Sequence, residues 1–159
     1  MDAFRSLKDG SHAKCIIFKL SGPMGKPEIA LDDKYQPNPK LVGDRAIWDE
    51  ARKYLEGRIV DGKEIPEDAE STPVGARYVV FDLDYKLKGG EGSRRKIVLV
   101  NFVPSGTSPY WKTIQASSVN ALKDTLSIAN TAHADSGAEF DYATILRKFD
   151  PKADLGDEA

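Results

Sequence analysis

Arg77-Tyr78-Val79-Val80-Phe81-Asp82-Leu83-Asp84-Tyr85 decides the reading of this chain. The first half of the stretch is apolar on both sides of an extended backbone. The second half alternates apolar and polar with period two. Such a strand is covered on both faces near residue 80 and open on one face near residue 84. Residues 97–103, Ile-Val-Leu-Val-Asn-Phe-Val, repeat the two-sided apolar pattern and supply a partner strand. Between the two strands, residues 88–96 carry Gly89-Gly90-Glu91-Gly92 and then Ser93-Arg94-Arg95-Lys96. Glycine is at ease at positive φ, so this segment reads as a hairpin turn with Arg94, Arg95 and Lys96 on one rim.

Upstream, Cys15-Ile16-Ile17-Phe18, continuing to Leu20, is short and partly β-branched and predicts a buried strand. The turn-forming run at 21–25 and Glu28-Ile29-Ala30-Leu31 complete a second hairpin. Ala3, Phe4 and Leu7 have helical spacing, which predicts a short helix reaching Lys8. Residues 32–43 read as loop. Asp44 is the expected N-cap of a helix ending at Glu56, with Gly57 as its left-handed stop. Ile47, Trp48, Ala51, Tyr54 and Leu55 form the inner face of that helix. Residues 58–75 hold two prolines and five acids and are expected to be a surface insertion. Downstream, a long helix begins near Pro109, a residue suited to a first turn. Ile114, Ala121, Leu122, Thr125 and Leu126 are expected inside. The opposite stripe carries Lys112, Gln115, Val119, Asn120 and Lys123. The hydroxyls of Ser117 and Ser118 are expected to bond back to the preceding turn. A last helix follows Asp141 as N-cap, with Ile145, Leu146 and Phe149 inward and Pro151 beyond it. These elements predict one α/β (α+β) layer domain over residues 1–150, with a mixed sheet between helices and a charged tail at 151–159.

Composition narrows the function. The chain has 159 residues, 40% of them apolar, with 23 Lys plus Arg against 25 Asp plus Glu. That length is one domain. A formal charge of −2 argues against nucleic-acid binding by bulk charge. No apolar run approaches the roughly 18 residues of a membrane span. Met1-Asp2-Ala3-Phe4-Arg5 lacks the apolar run of a signal peptide. A single cysteine, Cys15, excludes an internal disulfide and points to a reducing, cytoplasmic setting. With two histidines, His12 and His133, it cannot make a multi-ligand Cys/His zinc site. Cys15 reads as a small core hydrophobe, and His133 as a surface histidine with a pH sensor as the alternative. Asp82 and Asp84 share a strand face and could act as paired carboxylates, but no further acid or ligand cluster joins them.

Three segments in order resemble the actin-depolymerising factor/cofilin family. Residues 77–85 are similar to its Arg-Tyr-x-Val/Leu-Tyr/Phe-Asp-x-x-Tyr strand. Residues 92–98 with Pro104 and Pro109 resemble its basic turn, Lys-Ile-Val strand and double-proline loop. Lys112-Thr113-Ile114-Gln115-Ala116-Ser117-Ser118-Val119-Asn120-Ala121-Leu122 resembles its Lys-x-x-x-Ala-Ser-Ser-x-x-Ala-Leu helix. The resemblance covers roughly residues 3–31 and 76–149. It implies a single ADF-homology domain with a five- or six-stranded mixed sheet. It also implies a monomeric actin-binding protein of the cytoplasmic cytoskeleton, without catalysis, cofactor or metal, that severs and depolymerises filaments. By the same resemblance, Tyr110, Lys112, Ile114, Gln115, Ser118, Val119 and Lys123 face actin. Arg94, Arg95, Lys96, Glu139, Arg147 and Lys148 form the filament-side contact. Phosphoinositides are implied as a further ligand, at Arg94, Arg95, Lys96 and Lys112.

The sequence departs from the family pattern in places. No serine precedes Ala3-Phe4, where the family keeps a regulatory one, so that switch is expected to be missing or to lie ahead of Met1. Tyr110 stands where a basic residue is usual, and Arg147-Lys148 replaces a Glu-Arg pair. These departures motivate an alternative: binding to actin monomers or actin-related proteins without severing.

Overall fold

The structure, a computed structural model, describes residues 14–21, 28–32, 35–57, 59–60, 63–64, 76–105, 107 and 109–154. The helix expected at residues 3–8, the turn at 22–25 and most of the 58–75 insertion lie outside the described residues. The first hairpin is β1 (Cys15–Ser21) with β2 (Glu28–Leu31). Helix α1 (Asp44–Glu56) follows. Within the insertion, β3 (Ile59–Val60) pairs with β4 (Lys63–Glu64), so this segment is not loop throughout. Next come β5 (Arg77–Lys86), β6 (Ser93–Phe102), α2 (Pro109–Leu126), β7 (Asn130–Ala134) and α3 (Tyr142–Phe149).

The main sheet has five strands in the order β2-β1-β5-β6-β7. All neighbours are antiparallel except β6 and β7, which run parallel. A parallel pair needs a crossover, and α2 is that crossover. The deciding stretch lies on β5, the central strand. Val79, Phe81, Leu83 and Tyr85 point to one face, where they meet Trp48, Ala51 and Leu55 of α1 and Ile145 and Leu146 of α3. Tyr78 and Val80 point to the other, where Trp111, Leu122 and Leu126 of α2 cover them. From Leu83 to Lys86 burial alternates residue by residue, as the sequence pattern requires. Trp48 stacks on Phe140 at 4.4 Å, and its indole N–H donates to the Phe140 carbonyl oxygen at 3.2 Å. Filling such a site with one large side chain is worth about 1.5–3 kcal/mol.

Two expected caps are corrected. Asp44 is the first residue of α1, and Gly43 caps it at φ 92°, a backbone that favours glycine. The Asp44 carboxylate instead accepts from the Asp84 N–H at 2.6 Å and pairs with Lys14, tying the helix start to the sheet. Gly57 closes α1 in the right-handed region at φ −66°, not the left-handed one. Asp141 does cap α3, accepting from the Thr144 N–H at 3.2 Å.

The sheet also buries an ion pair. Arg77 is 0% and Asp32 2% exposed. Arg77 Nε donates to Asp32 Oδ2 at 2.8 Å, and the Tyr54 hydroxyl donates to the same oxygen at 2.6 Å. Beyond α3 the chain stays attached through Asp154. Lys88 N donates to the Lys152 carbonyl oxygen, Asp154 N donates to that of Lys86, and Ala153 bridges Leu87. The charged tail expected from 151 is therefore anchored for its first four described residues.

Candidate functional site

Helix α2 is built to sit on the sheet by one edge and expose the other. Pro109 opens it, where the missing N–H is no loss. Its end follows a Schellman pattern. Ser127 turns left-handed at φ 55°, its N–H reaches the Asp124 carbonyl oxygen, and Ile128 N–H reaches that of Lys123. The buried face is Trp111, Gln115, Leu122 and Leu126, with Ile114 and Val119 half-buried beside it. The face expected from the sequence is rotated relative to this one: Ala121 and Thr125 are exposed. Trp111 fixes the phase, because its large ring finds room only against the sheet.

Gln115 was expected on the contact stripe and is 0% exposed. Its Nε2 donates to Asn101 Oδ1 at 3.1 Å, and its backbone carbonyl accepts from the Tyr78 hydroxyl at 2.9 Å. Its role is to hold α2 on the sheet. Burial raises the pKa of the Tyr78 hydroxyl. The remaining stripe residues reach the surface to different degrees. Lys112 and Tyr110 are exposed, whereas Ile114, Ser118, Val119 and Lys123 are half-buried. Tyr110 and Trp111, adjacent in sequence, differ in burial while their rings stay in edge-to-face contact at 5.0 Å: Tyr110 is 38% exposed and Trp111 faces inward.

The outer ridge is Thr113, Ala116, Ser117, Asn120 and Ala121, all exposed, of which Thr113 and Ala121 were not expected on the contact side. These side chains are small. Two of the hydroxyls are spent on the helix itself, Thr113 on the Pro109 carbonyl oxygen and Ser117 on that of Ile114. The result is a low ridge with Lys112 and Lys123 on its flank. The helical period, counted from Trp111 as the innermost residue, would have located it.

The basic cluster is divided by the pleat of β6. It lies in the strand, not in the turn, which spans the short 3₁₀ segment Lys88–Gly90. Arg95 faces the α2 side and donates through Nε to Asp82 Oδ1 at 2.7 Å. Arg94 and Lys96 face the α3 side. There Arg94 pairs with Asp150 at 2.9 Å, and Lys96 donates to the Phe149 carbonyl oxygen at 3.2 Å. Exposed Arg147 and Lys148 are on the last turn of α3, just before Phe149 and Asp150, which this pair of cations contacts. Glu139, in the turn before α3, accepts from the Asp135 N–H at 2.8 Å. Lys112 belongs to the other end of β6. It borders Asn101, and the six residue steps from Arg95 to Asn101 span about 20 Å of strand. The four residues expected to share a phosphoinositide do not form one patch. Asp82 is committed to Arg95, and Asp84 is exposed, so the carboxylate pair does not converge. Cys15 is buried, and burial pushes its thiol up to about 12, which keeps it from acting as a thiolate.

A mixed sheet that offers one exposed face of a crossover helix, with cations beside it, presents a surface suited to a protein partner. The family model for cofilin/tropomyosin-type actin-binding proteins matches residues 1–150, and the chain belongs to this cofilin/ADF family. It is similar to the cofilin of Gibberella zeae, at 30% identity over 146 residues, 91% of this chain and 86% of that protein. Similarity to the Saccharomyces cerevisiae cofilin is 29% over 149 residues, 93% and 86% of the two chains. Among solved structures, an ADF-like protein of Caenorhabditis elegans shares the fold, with a TM-score of 0.66 at 22% identity over 95% of this chain and 90% of that one.

Proposed function

We propose that this chain is a cytoplasmic, non-enzymatic regulator of actin turnover that binds actin monomers and filaments and promotes filament disassembly, severing included. The supporting observation is the α2 ridge. A helix enters a partner groove when small residues let the backbones approach and larger groups anchor the flanks. Thr113, Ala116, Ser117 and Ala121 supply the first condition. Tyr110, Ile114, Lys112 and Lys123 supply the second. The lysines steer association toward an acidic partner and can add a charge-assisted contact once docked. The test is high-speed sedimentation with filamentous actin. Lys112→Ala combined with Lys123→Ala weakens binding by at least about tenfold, the worth of one charge-assisted contact, with the melting temperature nearly unchanged. Parent-like binding by the double variant would refute the assignment of α2.

A second reading keeps monomers, or actin-related proteins, as partners without severing. The pairing of Arg94 with Asp150 and of Arg95 with Asp82 favours it, because it leaves fewer uncompensated cations for a filament-side contact. Actin that shifts to the supernatant with no co-pelleting of the protein supports this reading over the first.

A further inference from the structure

Strand β2 is an edge that the fold leaves unpaired. The Asp32 N–H donates to the Ile17 carbonyl oxygen at 2.8 Å. In an antiparallel ladder this makes Ile17–Asp32, Lys19–Ala30 and Ser21–Glu28 the hydrogen-bonded pairs of the first hairpin. Ile29 and Leu31 lie between them, so their N–H and C=O groups turn away from β1 and out of the sheet. Only β1 neighbours β2 in the sheet. The side chains of Ile29 and Leu31 are on the α2 face, because Leu20 and Phe18, directly opposite them, are packed there. Leu31 is 46% exposed, and among the described residues it is the only large apolar side chain exposed on a strand. Sheet edges are usually blunted by a charge, a proline or a bulge. Ile29-Ala30-Leu31 carries none of these.

We propose that β2 pairs with β2 of a second copy of this chain, antiparallel, about a two-fold axis through Ala30. The segment is complementary to itself, which is what a two-fold interface requires. With Ile29 opposite Leu31 of the second copy, the four outward backbone groups of each strand are all joined. The same register sets each exposed Leu31 beside the Ile29 of the other copy on the α2 face. On the opposite face Ala30 meets Ala30, and two methyl groups leave the backbones free to approach. Glu28 falls opposite Asp32 of the second copy, whose charge Arg77 already balances at 2.8 Å. Pro27, next to the strand in sequence, has no N–H to lengthen the ladder. So short a contact falls below the area of a stable interface, and the dimer is weak and reversible. At low concentration the chain stays monomeric. Where the dimer forms, two five-stranded sheets become one, with both α2 helices on the same side. The inference stands apart from the actin reading and is tested without actin.

The experiment is sedimentation velocity of the whole chain from about 10 μM to about 1 mM, with amide NMR of the isotope-labelled protein over the same range. The expected result is a monomer–dimer equilibrium with no larger species, because pairing consumes the edge. Amide shifts that grow with concentration should centre on Ile29, Ala30 and Leu31. Leu31→Lys leaves the β1–β2 ladder in place and puts a charge on the edge. It should weaken association by at least about tenfold, through loss of the leucine's cover. Leu31→Pro removes an outward N–H that β1 does not use and should abolish the dimer; if that variant does not fold, Leu31→Lys decides alone. The other edge of the sheet serves as the control. Ala134 bonds inward to Val103, so Thr131 and His133 face out of β7. A monomer at every concentration, parent-like association of Leu31→Lys, oligomers beyond the dimer, or shifts at Thr131 and His133 in place of β2 would each overturn the proposal.

Discussion

Arg94, Arg95 and Lys96 are consecutive in the chain and part company in space. A strand sends alternate side chains to opposite faces, so a run of three cations is two sites and not one rim. Their partners were not legible in the sequence, because Asp150 is 56 positions from Arg94 and nothing local marks the pair. Asp150 carries a pH signature. The Tyr85 hydroxyl at 2.8 Å, then the Lys152 N–H and Arg94, hold its carboxyl below the usual range. In turn, burial and then Asp150 raise the Tyr85 hydroxyl to about 12. A carboxyl depressed in the folded state stabilises the protein above its unfolded value of about 3.9. That contribution is lost as pH falls through the folded value. Asp150→Asn should therefore lower the urea midpoint at neutral pH and flatten its fall below about pH 4 relative to the parent. Parallel curves for the two proteins would show that the carboxylate contributes nothing.

At the scale of the element, α2 had a legible start and a misread face. Pro109 marked its start, and the Ala-Ser-Ser run marked its identity. Its phase was obscured because the inner face contains a glutamine, which a hydrophobic period does not count. Only the tertiary partner Asn101 explains why a polar residue is inside. Gln115→Ala leaves Asn101 Oδ1 without its donor and should cost about 1–3 kcal/mol of unfolding free energy. Actin affinity in the sedimentation assay should stay at the parent value, because Gln115 offers no surface. A loss of affinity like that of the lysine double variant would return Gln115 to the interface. The edges of α1 show the opposite failure. Asp44 has the chemistry of a cap, but Lys14 and the Asp84 N–H claim its carboxylate from outside the helix.

At the scale of the molecule, the layered architecture was legible because both halves of β5 announce which of their faces are covered. The parallel pairing of β7 was not, since Asn130–Ala134 is short and its alternating burial falls on small and polar side chains that leave no hydrophobic period. Neither was the Arg77–Asp32–Tyr54 link, which joins β5, the loop after β2, and α1. Removing one member of a buried ion pair strands the other. Arg77→Ala should therefore lower stability by about 3–5 kcal/mol, and Arg77→Met with Asp32→Leu should recover most of it. Chemical denaturation of the three proteins checks this; a double variant no better than the single would mean that packing, not charge, dominates. The crossover through α2 has a mechanical consequence. The helix is spliced at its two ends to adjacent strands that run the same way, and one of them, β6, is clamped on both sides by neighbours. Tension applied by a partner to the middle of α2 is split between two anchorages. A pull along the strand axis strains the rungs of the β6–β7 ladder together instead of peeling them one at a time. A load placed on α2 is thereby borne by the shear strength of the sheet, and the helix itself need not yield first.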